Sequence, residues 1–395
     1  MTSTTRSTVL LPRPRRGVRL AVATSAAALA VPLVVAPAAS ATSATSATSA
    51  AAAPAAAVRS STAATTGLFG SADPTYDGVY RQSLGILGLR AAGLPVPVPA
   101  ARWLRLQQCS GGAFQSYRAD IAVPCTASNP ATYSGPDTNS TALAAMALLW
   151  LGDTARARKA LAWLRAVQRP DGGFPYYRGG ASDTNSTGLV LAALRAGGTA
   201  PSRLVSSPGG RTPAQFLQSV QVRCRGAAAD RGALAYQGPA PLVPNPLASA
   251  QGALGLAGTL PVTAARPAVR LPALSCSGGG QLRPIGISDV ANGWLGRSIL
   301  AGGGSLPNAF GPGRDWSATG WAVLALVAGR DGRDAVAQGT WRLARAAKTY
   351  VRPAGSVDQP GALGLLLLVA KATGRPVVSF GGVDLPARLR ATMRG

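Results

Sequence analysis

The sequence predicts an all-α protein, an α/α toroid (α6/α6 barrel) in which outer and inner helices alternate around a central hollow. Three observations predict it. A motif recurs along the chain, two kinds of helical periodicity take turns, and no polar pair stands at either end to cap a linear stack.

The repeat is sharpest in two adjacent copies. Trp103-Leu104-Arg105, Gln108 and Gly111-Gly112-Ala113-Phe114 return as Trp163-Leu164-Arg165, Gln168 and Gly172-Gly173-Phe174. Each copy then reaches Asp-Thr-Asn-Ser-Thr, at Asp137–Thr141 and Asp183–Thr187, and each pentapeptide opens a run of small and apolar residues.

Periodicity separates two helix types. In Ala155–Gln168 the apolar Ala157, Ala160, Leu161 and Leu164 fall on one stripe, with Arg156, Lys159 and Arg165 off it, so one face is wet. Ala142–Leu151 is apolar all round, which an aqueous protein tolerates only where every face is covered. Asp137 or Thr138, and again Asp183 or Thr184, are natural N-caps for such inner helices.

Weaker copies extend the order. Inner helices are expected at Asp77–Ala92, Asp137–Leu151, Asp183–Ala196, Pro246–Ala257, Asp315–Ala328 and Asp358–Thr373. Outer helices are expected at Ala100–Gln108, Ala155–Gln168, Pro213–Val222, Ser288–Ala301, Asp334–Val351 and Pro386–Arg394. An apolar rod cannot keep a bare edge, so six uncapped pairs are expected to close on themselves.

Residues 1–41 read as a signal peptide: a basic stretch ending at Arg19, an apolar run from Leu20 to Val35, and Ala39-Ser40-Ala41 at the cleavage site. Residues 42–67 form a low-complexity Ala/Thr/Ser leader, and 68–395 are assigned to the toroid. No further segment is long enough to span a bilayer, since Ala362–Ala370 is the best apolar run; no transmembrane anchor is expected. The chain is expected outside the cell or associated with the envelope.

The formal charge of +25 is carried almost wholly by Arg, and every acidic residue is Asp. Arginines are scattered in ones and twos without stacking aromatics between them, so nucleic acid is not the expected partner. An exported chain with four cysteines permits two disulfides; local spacing favours Cys109–Cys125, which leaves Cys224–Cys276. Closing the shorter loop contributes roughly 3 kcal/mol by restricting the unfolded chain. Without His or a Cys-x-x-Cys pair, no metal site is expected.

The motifs Gln108-x₃-Gly112-x-Phe114 and Gln168-x₃-Gly172-x-Phe174 resemble the Q-x₃-G-x-W repeat of the terpenoid cyclase/protein prenyltransferase toroids, with Phe in place of Trp. The resemblance spans about Tyr76 to Gly374 and implies a toroid with a central cavity. It is more particularly similar to secreted bacterial proteins with prenyltransferase/squalene-oxidase repeats. It is similar too to cobalamin carriers of the intrinsic-factor and transcobalamin type, which also start inner helices with Asp-Thr, here Asp137-Thr138 and Asp183-Thr184. Cobalamin is therefore an implied ligand, although the small β domain that such carriers place over the mouth has no equivalent after Gly374.

The absence of His excludes His-based acid/base chemistry, Ser-His-Asp and Cys-His dyads and the zinc set of protein prenyltransferases. The clustered acids of a D-x-D-D cyclase motif are missing, and Asp331-Gly332-Arg333-Asp334 reads as a turn into a helix. No catalytic residue or cofactor is assigned. The expectation is a non-enzymatic carrier of a bulky, partly apolar solute, cobalamin-like, at the toroid mouth. Its contacts are expected from Asp137, Thr138, Asn139, Tyr176, Tyr177, Asp183, Thr184, Asn185, Asp315 and Trp316. Tyr76, Tyr117 and Tyr133 lie in the same loops, whereas Trp103, Trp150 and Trp163 are expected in the core. Two other readings stay open: an Asp-dependent cyclase-like or glycan-degrading enzyme, and an envelope protein-interaction module.

Overall fold

The computed structural model describes residues 65–200, 203–205, 210–262, 267–268, 270–277, 282–284, 286–309 and 311–395. The signal peptide and most of the leader fall outside the described residues. Thr65–Gly67, expected in the leader, belong to the fold instead.

Twelve helices are present among the described residues. The inner ones are α1 (Gly78–Ala91), α3 (Thr138–Trp150), α5 (Thr184–Ala196), α7 (Pro246–Ala257), α9 (Trp316–Gly329) and α11 (Pro360–Ala372). The outer ones are α2 (Val98–Leu106), α4 (Thr154–Ala166), α6 (Pro213–Ser219), α8 (Ile287–Ala301), α10 (Arg333–Val351) and α12 (Leu385–Ala391). Each inner helix touches the next, α1 to α3 and onward to α11, and α11 packs back against α1. That last contact closes the ring, so the architecture is an α/α toroid.

The two helix types differ as their periodicity predicts. In α4 the buried residues are Ala157, Ala160, Leu161 and Leu164, the stripe visible in the sequence. In α3 burial runs unbroken from Ser140 through Leu148. Three two-residue antiparallel ladders bring the loops together: β1 (Phe174–Pro175) with β2 (Ser182–Asp183), β3 (Ser275–Cys276) with β4 (Leu282–Arg283), and β5 (Leu306–Pro307) with β6 (Arg314–Asp315). Cys109–Cys125 and Cys224–Cys276 form as paired above.

The seam of the ring is sewn by backbone. Gly67 N donates to Arg394 O, Gly70 N to Thr392 O and Arg394 N to Leu68 O. Arg81, buried in α1, donates to the carbonyls of Phe69, Ala72 and Asp73 and pairs with Asp77 at 2.6 Å. The two chain segments that meet at the seam are thus tied to each other and to the first inner helix.

Inner helices approach so closely that side chains are excluded at some crossings. A Cβ on Gly188 of α5 would stand 2.2 Å from Gln251 O of α7, and one on Gly255 would stand 2.1 Å from Gly188 O. Gly364 of α11 meets Leu84 of α1 in the same way, at 2.6 Å from its carbonyl. Outside the ring, Gly112 and Gly172 take positive φ (93° and 88°) and bring the connecting turns against Lys159 O and Thr212 O.

Two expectations need correction. Trp150 is 43% exposed, standing as the last residue of α3, where the helix ends. Asp358 does not cap an inner helix: Gln359 holds the N-cap position of α11, and Asp358 pairs with Arg352 and Arg388.

Gly188→Ala is expected to force α5 and α7 apart and to lower unfolding stability by about 3 kcal/mol or more, since the obstacle is backbone and cannot rotate away. Gly111→Ala, where an added Cβ meets nothing within 4 Å, is the control and stays within about 0.5 kcal/mol. Urea unfolding of both variants checks the contrast; equal midpoints would refute the close-crossing argument.

Candidate functional site

The five residues of each Asp-Thr-Asn-Ser-Thr segment have separate duties. The first is the N-cap: Asp137 Oδ1 accepts from Ser140 N and Asp183 Oδ1 from Ser186 N, both at 2.7 Å. Asn245 and Asp315 cap α7 and α9 through Ala248 N and Ala318 N. The second reaches forward, Thr138 Oγ1 donating to Pro175 O and Thr184 Oγ1 to Ala235 O. Their backbone N–H groups go to Tyr176 O and Tyr236 O.

The fifth residue reaches back. Thr141 Oγ1 accepts from Phe114 N and donates to Asp137 O, and Thr187 does the same between Phe174 N and Asp183 O. Ser249 holds Leu234 N and Thr319 holds Leu306 N. In the first repeat Gln82 Oε1 takes the role, accepting from Phe69 N at 2.7 Å. Every described repeat from α1 to α9 is clamped this way, with buried donors and acceptors satisfied.

Counting back two residues from each clamp gives Tyr80, Asn139, Asn185, Leu247 and Ser317. This third position carries none of the clamping bonds. Tyr80, Asn139, Asn185 and Leu247 line a single cavity of about 390 Å³ at the end of the ring where the inner helices begin. Tyr176 and Tyr236 join them from the loops, Asp183, Asn245 and Asp315 from the caps, and Gln251 from one turn deeper in α7. Ser317 lies beside it, its hydroxyl 2.8 Å from that of Tyr350.

The wall is organised by hydrogen bonds. Asn185 Nδ2 donates to Gln251 Oε1 at 2.9 Å, and Gln251 Nε2 donates to the Tyr80 hydroxyl at 3.2 Å. Tyr177 stands edge-on to Tyr176, with ring centroids 4.7 Å apart, and its hydroxyl donates to Tyr133 O. Gln108 Nε2 and Gln168 Nε2 tie the turns ahead of the clamps, donating to Gly112 O and Gly172 O.

Of the residues singled out from sequence, Asn139, Tyr176, Asp183, Asn185 and Asp315 meet in the cavity. Asp137, Thr138 and Thr184 are buried in caps and clamps, Tyr177 buttresses Tyr176, and Trp316 packs half-buried against the core. Tyr76 and Tyr133 face solvent. Tyr80, Tyr236, Asn245, Leu247 and Gln251 were not singled out. A signal for Tyr236 was present: Ala233-Leu234-Ala235-Tyr236 parallels Gly173-Phe174-Pro175-Tyr176, and Asn245 replaces Asp183 as the cap.

Burial pushes the Asp183 carboxyl up to about 6, opposed by hydrogen bonds from the Ser186 amide and hydroxyl. Burial likewise raises Asp137 to about 6, against bonds from Ser140 and Ser116. The Tyr236 phenol is pushed up to about 12, and burial drives Tyr80 and Tyr176 further in the same direction. All three phenols therefore stay protonated at neutral pH.

No family model and no curated protein matches the chain. Among solved structures it is similar to a protein from Actinoplanes at 14% identity and TM-score 0.45, covering 81% of this chain and 99% of that one. It is similar to the type II terpene cyclase MstE from Scytonema in complex with geranylgeranyl dihydroxybenzoate at 14% identity and TM-score 0.44, covering 81% and 96%. The same cyclase with merosterolic acid A gives 15% identity and TM-score 0.42, covering 74% and 87%. The toroid itself is established by the closed ring of helix contacts.

The raised carboxyls fix a pH dependence. Unfolded, Asp183 ionises near its ordinary value of 3.8; folded, near about 6. Between those values the folded state holds a proton that the unfolded state has lost, so stability falls as pH rises, by roughly 2–3 kcal/mol once ionisation is complete. Asp183→Asn keeps the cap and never ionises. Its stability relative to the unmodified protein is expected to rise by about 2 kcal/mol from pH 4 to pH 7 in urea titrations; a difference independent of pH would contradict the assignment.

Proposed function

We propose that this is an exported binding protein that holds a small, partly apolar solute in the mouth cavity. The observation that carries the reading is the division of labour in the repeat. The third position of successive repeats converges on one cavity, while the neighbouring positions hold the scaffold. A preformed concavity of about 390 Å³ with a few fixed polar groups among aromatic rings suits a small-molecule site, at the lower end of the usual size range. That volume favours a solute smaller than a whole corrinoid. Export is supported by the two disulfides and by the signal-like start of the sequence. No helix among the described residues is long and apolar enough to cross a membrane.

A second reading, Asp-dependent catalysis on a hydrocarbon or glycan, is favoured by one observation. Asp137 and Asp183 hold their protons to about pH 6, as a general acid requires. Against it, Oδ1 of each accepts a backbone N–H in a helix cap.

The purified protein, incubated with a metabolite extract and washed, is expected to retain a solute detectable by mass spectrometry. Asn185→Leu combined with Tyr236→Ala is expected to lose it while remaining folded. Retention unchanged in that variant, or none in either protein, would remove the binding reading. Chemical conversion abolished by Asp183→Asn would establish the enzymatic one.

A further inference from the structure

Cations outnumber carboxylates 39 to 14 in this chain, so a buried acid has ample choice of partner. Three described Asp residues are buried: Asp137, Asp183 and Asp358. Asp358 is flanked by the guanidinium groups of Arg352 and Arg388. Asp137 and Asp183 have no ion-pair partner among the described residues and accept from neutral donors, among them the amides of Ser140 and Ser186 and the hydroxyls of Ser116 and Ser186. Asp315, on the cavity wall, also has no ion-pair partner among the described residues; its Oδ1 takes only Ala318 N. Helix N-termini offset part of this charge, roughly half a unit each, and leave the mouth negative inside a positive protein.

The remainder of the wall fits that sign. Among the described residues no Lys or Arg lines the cavity. Three protonated phenols line it, and aromatic rings attract cations through their quadrupole. Asn139 contributes a buried Oδ1 that has no hydrogen-bond partner, an acceptor waiting for a donor. An anion would place its charge against two carboxylates and that oxygen. A neutral polyol would satisfy the amides but leave Asp183 and Asp315 without a counter-charge.

We propose that the mouth cavity is a receptor for an organic ammonium ion, held between Asp183 and Asp315 and covered by Tyr80, Tyr176 and Tyr236. This rests on the binding reading above and gives its solute a charge. Attraction to the outer surface cannot imitate it, because that surface is arginine-rich and repels cations.

Calorimetric titration of the purified protein with choline, and with dimethylbutanol, its uncharged isostere in which carbon replaces nitrogen, separates charge from shape. Choline is expected to bind at least about tenfold more tightly than the isostere. Asp315→Asn, which keeps the cap, is expected to weaken choline at least about tenfold and leave the isostere unchanged. Equal affinities, or tighter binding of citrate than of choline, would overturn the ammonium assignment while the binding reading stands. Failure of both choline and the isostere at millimolar concentration would also overturn it. The binding reading then depends on solute retention and its loss in the Asn185→Leu, Tyr236→Ala variant.

Discussion

The hydrogen bond that the fifth residue of each repeat makes to the loop behind it governs this structure. A hydroxyl or carboxamide at Gln82, Thr141, Thr187, Ser249 and Thr319 takes the backbone N–H of the apolar residue that follows the turn. That bond is made in a dry environment, where a lone N–H is costly, and it fixes both the height and the rotation of the helix that begins there. Because a helix turns about 100° per residue, fixing one position fixes its neighbours' directions. The cap and the clamp lie on the loop side, and the residue between them meets the cavity. A binding surface thus arises from a bond that serves stability.

Closure adds the second constraint. Six inner helices form one ring only if neighbours come near enough to leave no gap, and the crossings at Gly188–Gly255 and Gly364–Leu84 are made by backbone against backbone. Tight crossings at depth leave room for a cavity only where helices diverge, at the ends. The described mouth lies where the inner helices start, so their N-termini, their caps and the polar clamps share it. Packing and electrostatics therefore place polar chemistry at one end of an otherwise apolar barrel.

The twelve helices were legible in the sequence to within two or three residues because two periodicities, one striped and one continuous, differ unmistakably. The cavity was legible at Asn139, Tyr176, Asp183, Asn185 and Asp315, but among the third positions only where the pentapeptide is intact, at Asn139 and Asn185. Asp358 misled because it stands one residue ahead of the N-cap of α11. Asp77 holds the N-cap position of α1 but makes no side-chain capping bond, and Gln359 holds that of α11. Both carboxylates turn to guanidinium groups, Asp77 to Arg81 and Asp358 to Arg352 and Arg388, instead of to helix N–H groups. Tyr80 escaped notice because its register follows from Gln82, a clamp with a longer side chain than Thr. Charge pairing across the fold was illegible because Arg388 lies thirty residues from Asp358.

The unevenness of the third position bears on what the mouth can discriminate. Scaffold duties fall on the first, second and fifth positions, so the third carries Tyr80, Asn139, Asn185, Leu247 and Ser317 without disturbing caps or clamps. The third positions of the wall are consequently uneven, with Tyr80, Asn139 and Asn185 on α1, α3 and α5 and Leu247 on α7. On the proposed binding reading, a solute with one polar end and one apolar flank satisfies both Leu247 and the Asn185–Gln251 pair, whereas a uniformly polar or uniformly greasy one leaves one of them facing the wrong surface. The five side chains thus differ around the ring, and the scaffold that orders them is indifferent to which side chains they are.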